Sequence, residues 1–134
     1  MKYCIVISIT SFFLFFGCKR HELSQGEIIV NTFYKNKESE NFKDLDTLMS
    51  FRFYQNTPYK EFIHMLSTKN KEYGKINKKS LAKYKIVKST KSTDTLHFGY
   101  EVDYMNVHTK ESFTLIQEDK GFKILKYYVS LGND

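Results

Sequence analysis

A strict two-residue alternation over residues 95–104 constrains this fold more than any other feature of the chain. Leu96, Phe98, Tyr100, Val102 and Tyr104 alternate with Thr95, His97, Gly99, Glu101 and Asp103. Side chains of period two fall on opposite faces of a strand, so this segment reads as a half-buried antiparallel strand. Its surroundings repeat the signal. Residues 81–88 alternate Ala82, Tyr84 and Ile86 with lysines, residues 110–117 place Phe113 and Leu115 on one face, and residues 122–130 are rich in Tyr, Ile and Val. Turn-forming residues separate them at 89–94, 106–109 and 118–121.

Upstream of residue 75 the period is helical. Ile28, Ile29, Val30, Phe33 and Tyr34 predict a helix over 26–37, and Phe42, Leu45, Leu48 and Met49 a short one over 43–50. A third helix is expected over 58–73. Thr57 is a good N-cap, and Pro58 suits the first helical position, where its missing N–H costs nothing. Phe62, Met65, Leu66 and Tyr73 form its apolar stripe, and Gly74 is placed to stop it in a left-handed conformation. Helices first and strands afterwards define an α+β domain, with N-terminal helices packed on one face of a four-stranded antiparallel meander. Leu96, Phe98, Tyr100, Val102 and Tyr104 would then face Phe62, Met65 and Leu66.

The N-terminus is of another kind. After Met1-Lys2, residues 3–17 carry no charge and are mostly Ile, Val, Phe and Leu, and charge returns at Lys19-Arg20. A basic start, an apolar run and a small residue before a cut are the pattern of an export signal. The run is shorter than the ~20 apolar residues that a spanning helix needs. Removing residues 1–17 takes away only Lys2 among charged residues, so a net charge of +6 becomes +5, too diffuse to demand a nucleic-acid partner. Of the two cysteines, Cys4 would leave with the signal and Cys18 would become the first residue. A single cysteine in an exported chain needs a reason.

Leu14-Phe15-Phe16-Gly17-Cys18 resembles the cleavage motif of bacterial lipoprotein precursors, with Phe15 and Phe16 where an aliphatic and a small residue are usual. The resemblance implies cleavage after Gly17 and acylation of the Cys18 thiol, with palmitate-type chains. It divides the chain into a signal peptide at 1–17, a lipidated tether at 18–25 and an α+β domain at 26–134. The bilayer becomes a partner through acylated Cys18, and Lys19 points, by analogy with sorting in some bacteria, to the outer membrane of the cell envelope.

The domain, in turn, resembles the cystatin-like, nuclear-transport-factor-two-like cone. The residues that carry the likeness are Phe42 to Met49, the helix from Thr57-Pro58 to Tyr73-Gly74-Lys75, Tyr100-Glu101-Val102-Asp103-Tyr104, Glu111 to Leu115 and Phe122-Lys123-Ile124. A plain open two-layer sheet without a pocket is the alternative. Cone folds commonly bind small molecules between sheet and helices. The likeness therefore implies a ligand pocket lined by Tyr84, Phe98, Tyr100, Tyr104 and Phe113, with Tyr127 and Tyr128 nearby, and simple core packing is the competing reading of the same rings.

Catalytic signals are weak. None of His21, His64, His97 and His108 belongs to an HExxH or other close ligand pair, so no metal and no cofactor is expected. His97, Glu101 and Asp103 share the outer strand face, where they are expected to be solvated. There is no GxSxG and no Gly-rich phosphate loop. Lys78, Lys79, Lys83, Lys85 and Lys88 read as a solvated strand face. Three functions stay open: non-catalytic binding of an envelope protein or small ligand, a small isomerase or hydrolase using a cone pocket, and an immunity-type or inhibitor lipoprotein.

Overall fold

The computed structural model describes the backbone of residues 14–90 and 93–132, with side chains from His21 onward. Among the described residues four helices precede four strands: α1 Leu14–Glu38, α2 Phe42–Asp46, α3 Phe53–Asn56, α4 Tyr59–Tyr73, β1 Ile76–Val87, β2 Thr95–Tyr104, β3 His108–Glu118 and β4 Gly121–Leu131. The strands form one antiparallel meander in the order β1-β2-β3-β4. The α+β class with helices before a four-stranded sheet is as the periodicities require.

Strand β2 shows why. Leu96, Phe98, Tyr100, Val102 and Tyr104 are all buried, while His97 and Glu101 are exposed. The cross-strand register sets Phe98 beside Phe113 and Phe113 beside Tyr127, and sets Leu96 beside Leu115 and Leu115 beside Ile124. Paired residues share a face, so this face becomes the core floor. Helix α1 lies over it with Val30, Phe33 and Tyr34, and α4 adds Phe62 and Leu66. Each fully buried side chain of this size contributes ~1.5–3 kcal/mol. Met65, expected inward, is only half-buried.

Gly26 lies inside α1, where the lack of a side chain sets the helix-to-sheet distance. A Cβ there would stand 2.5 Å from Cζ of Phe98 and 3.0 Å from Cδ1 of Leu96. At the other end of α1, Glu40 takes a left-handed φ of 54°, and Asn41 caps α2 by accepting from the Asp44 amide. Helix α4 starts one residue later than expected, with Pro58 as its cap and the Pro58 carbonyl accepting from Phe62 N–H at 3.0 Å. Gly74, at φ 76°, ends it.

Four local expectations are corrected. Residues 18–25, expected as a tether, belong to helix α1, and Leu23 packs on the core. The helix expected over 43–50 stops at Asp46. Beyond it the backbone satisfies itself on β4: Ser50 N–H donates to the Ile124 carbonyl at 2.9 Å, and Ile124 N–H to that of Leu48 at 2.8 Å. The short helix α3, which carries the buried Phe53, follows from this detour. Strand β1 begins at Ile76 rather than Leu81, and its register shifts between Leu81 and Lys83. Tyr84, expected to line a pocket, pairs with the buried Phe98 but is exposed, because β1 lies at the sheet margin.

Candidate functional site

The core stripe of α1 does not end in an apolar residue. Val30, Phe33 and Tyr34 stand at i, i+3 and i+4, and the i+7 position is Lys37, which has no exposed surface. On β3 the inward alternation of Phe113 and Leu115 continues backward to Glu111 and Thr109, both buried. The fold therefore brings a lysine and a glutamate into the interior between α1 and the sheet.

They are joined by hydroxyls. The Glu111 Oε2 accepts from the Tyr34 hydroxyl at 2.9 Å and from that of Tyr127 at 2.8 Å. Its Oε1 accepts from Tyr104 at 2.7 Å and from Thr109 at 3.0 Å. Lys37 Nζ donates to the Tyr104 hydroxyl at 2.7 Å and lies 4.6 Å from that ring's centre. A proton-donor chain thus runs from the Lys37 ammonium through Tyr104 to the Glu111 carboxylate. The cluster ties α1 to β2, β3 and β4. Strand β1 adds Lys79, which bonds to Asn31 of α1 and lies 4.7 Å from the Tyr34 ring centre and 5.1 Å from that of Tyr100. Lys79, expected on a solvated strand face, is half-buried for this reason.

The electrostatics follow from burial. Desolvation pushes the Lys37 amine below its ordinary range, and nearby Glu111 offsets part of that shift. Tyr34, Tyr104 and Tyr127 are raised well above the ordinary phenol value, first by burial and then by the Glu111 charge. Burial also pushes Tyr100 up to about 12. The three tyrosines around Glu111 are thus fixed as proton donors. A carboxylate offers about four lone-pair directions, and four hydroxyls fill them here.

Of the pocket residues expected from the sequence, Phe98, Tyr100, Tyr104 and Phe113 are buried together, and Tyr84 is 56% exposed. The rings interlock: Phe113 meets Tyr100 at 6.1 Å, Tyr34 at 5.6 Å and Tyr127 at 4.9 Å between centres. Phe33 lies 5.2 Å from Phe113, edge to face. Such pairs contribute ~0.5–1.5 kcal/mol beyond their burial.

The expected solvated face is where the alternation puts it. His97 is exposed on β2, with Thr95 and Thr114 hydroxyls at 3.3 and 3.2 Å, and Asp103 pairs with His108. His64 is exposed on α4. Among the described residues, no group of three or more His, Cys, Asp or Glu side chains could hold a metal ion. Residues 1–13 of the expected signal segment, and the side chain of Cys18, lie outside the described residues; the backbone at 17 and 18 belongs to α1. No helix among the described residues is long and apolar enough to cross a membrane.

An open groove of about 510 Å³ lies where the β3–β4 hairpin meets the turn before α3. Phe51, Arg52, Thr93, Ile116, Lys120 and Lys123 are among its lining residues. Phe51 is 66% exposed, with the Arg52 guanidinium 5.9 Å from its ring centre.

No family model matches the chain, and no curated protein matches it in sequence. Among solved structures it is similar to a candidate dehydratase of the NTF2-like family from Streptomyces avermitilis, with a TM-score of 0.59 over 87% of this chain and 99% of that one, at 11% identity. Four helices on a four-stranded antiparallel meander thus form an NTF2-like α+β cone. At that identity the likeness speaks for the fold alone.

Proposed function

We propose that this chain is a lipid-anchored envelope protein whose cone domain binds a protein or small ligand without catalysing a reaction on it. Residues 1–17 are removed after Gly17, and the Cys18 thiol carries the acyl chains. Two or more chains on one cysteine anchor stably, since each buried CH₂ contributes ~0.8 kcal/mol. The anchor rests on the apolar run, on Gly17-Cys18 and on the odd cysteine.

One observation carries the non-catalytic reading. A general base must come within hydrogen-bond reach of the proton it takes. Among the described residues Glu111 is the buried carboxylate of the cone, and it is 2% exposed with four hydroxyls on its two oxygens. Lys37 is equally enclosed. The cluster supports a role in holding α1 to the sheet, and recognition then falls to the surface.

Detergent phase partition with intact-mass measurement tests the anchor. The wild-type chain is expected in the detergent phase, lacking residues 1–17 and carrying acyl mass, and Cys18→Ser in the aqueous phase. Retention of residues 1–17, or a bare Cys18, would overturn it. Crosslinking in intact envelopes and native mass spectrometry of the extracted protein test binding. Finding neither a crosslinked partner nor a co-purified ligand would overturn that part.

A further inference from the structure

The groove at Phe51 and the start of α1 lie at the same end of the fold. Glu22 of α1 pairs with Lys88, just past β1. Lys88 also pairs with Asp94 at 3.3 Å, and the Asp94 carbonyl accepts from Gln117 N–H at 3.1 Å. Gln117 lines the groove together with Phe51, as does Thr93 beside Asp94. Helix α1 is unbroken from Leu14 to Glu38, so Glu22 follows Cys18 by four steps along one helix. At 1.5 Å per residue that is about 6 Å. A lipid on Cys18 therefore cannot hang the domain on a long flexible leash. It holds this end of the sheet against the surface in which the acyl chains sit.

What this end presents suits such a surface. Phe51 projects from a turn at 66% exposure, with Arg52 over its ring. An aromatic ring with a cation beside it is amphipathic: the ring can enter the acyl boundary while the guanidinium reaches headgroup phosphate. Lys120 and Lys123 flank the groove, and Glu118 and Asp119 nearly balance them. Charge alone would not hold the domain there, so position and the aromatic side chain must do so.

We infer that the Phe51–Arg52 turn and the β3–β4 hairpin form a docking surface for the bilayer that carries the Cys18 lipid, with Phe51 inserted at the headgroup–acyl boundary. This rests on the lipid-anchor reading and goes beyond it, because it fixes how the domain stands on the membrane. The β2–β3 turn with Met105, at the opposite end of the meander and 63% exposed, points away from the membrane.

The chain contains no Trp, so single reporters can be placed. Phe51→Trp and Met105→Trp are made in the full chain, extracted in acylated form and reconstituted in phosphatidylethanolamine–phosphatidylglycerol vesicles that include acyl-brominated lipid. Phe51→Trp should emit to the blue of Met105→Trp and be quenched several-fold more strongly. Equal quenching of the two acylated proteins, or stronger quenching of Met105→Trp, overturns the orientation while leaving the anchor intact. A mass spectrum showing Cys18 without acyl groups overturns the anchor, and the orientation falls with it. Both positions are exposed, and circular dichroism matching wild type confirms that each variant is folded.

Discussion

Glu111→Gln is the substitution to which the interior should be most sensitive. Glutamine keeps the shape of the side chain but has one acceptor oxygen and two N–H donors where the carboxylate has only acceptors. Four hydroxyls now donate to Glu111, two at each oxygen. Whichever oxygen becomes NH₂, two of them face a donor and must turn round. Hydrogen bonds to a charged group contribute ~1.5–3 kcal/mol each, and some of that returns through the new amide donors. Lys37, buried and joined to Glu111 through Tyr104, also loses its countercharge. Removing one partner of a buried pair costs ~3–5 kcal/mol, and that range is the expected destabilisation here. With a urea m-value of ~1–3 kcal/mol per M, the unfolding midpoint should fall by roughly 2 M. Paired with Lys37→Met, the variant completes a double-mutant cycle. The double variant should be less destabilised than the sum of the singles by ~0.5–3 kcal/mol. A midpoint shift below about 0.3 M for Glu111→Gln, or additivity in the cycle, would refute the view that this cluster holds α1 to the sheet.

Alkaline pH should unfold the protein steeply. Below pH 10 the folded and unfolded chains both keep the Tyr34, Tyr104 and Tyr127 protons; above it the unfolded chain releases protons that the folded chain retains, because the folded phenols are raised. Three such groups lower stability by about 4 kcal/mol per pH unit. Lys37, shifted downward, acts with the opposite sign only below its ordinary value of 10.5 and is flat above it. Urea midpoints from about pH 8 to 11.5 check this, and a constant midpoint up to pH 11.5 contradicts it. Gly26→Ala should destabilise by ~1–3 kcal/mol through overlap with Phe98, although alanine is the better helix former by ~0.5–1 kcal/mol; a raised melting temperature would show that α1 can move away from β2. Lys79→Ala should cost ~0.5–2 kcal/mol by removing a cation from above Tyr34 and Tyr100, and an unchanged urea midpoint would exclude that contribution.

The meander was legible because β2 has one buried and one wet face, which is the condition under which alternation reports structure. The same rule carried one step further reaches the interior cluster. Glu111 alternates in phase with Phe113 and Leu115, and Lys37 stands at i+7 from Val30. Charged residues at core positions look like breaks in a stripe unless the partner is known, and the partners lie 67 and 77 residues apart in sequence. Non-local pairing of that kind leaves no local periodicity. The misread segments failed for a related reason. Leu48 and Ser50 exchange helical bonds for a bridge to Ile124, and β1 slips register at Leu81/Lys83. Polar residues 18–25 read as a tether, yet they are helical because Leu23 gains contact with the core and Glu22 with Lys88.

An open meander has two unfinished margins, each offering free amides and carbonyls to any neighbouring chain. Here β1 borders one of them and carries Lys78, Lys79, Lys83 and Lys85, with two register irregularities along its length. The other is β4, occupied at Ile124 by the Met49 bridge and bearing Lys123 and Lys126. Like charges and kinks oppose strand-to-strand annealing. Copies brought close together should therefore slide past one another rather than knit into a continuous sheet, and lysine acetylation should remove that protection.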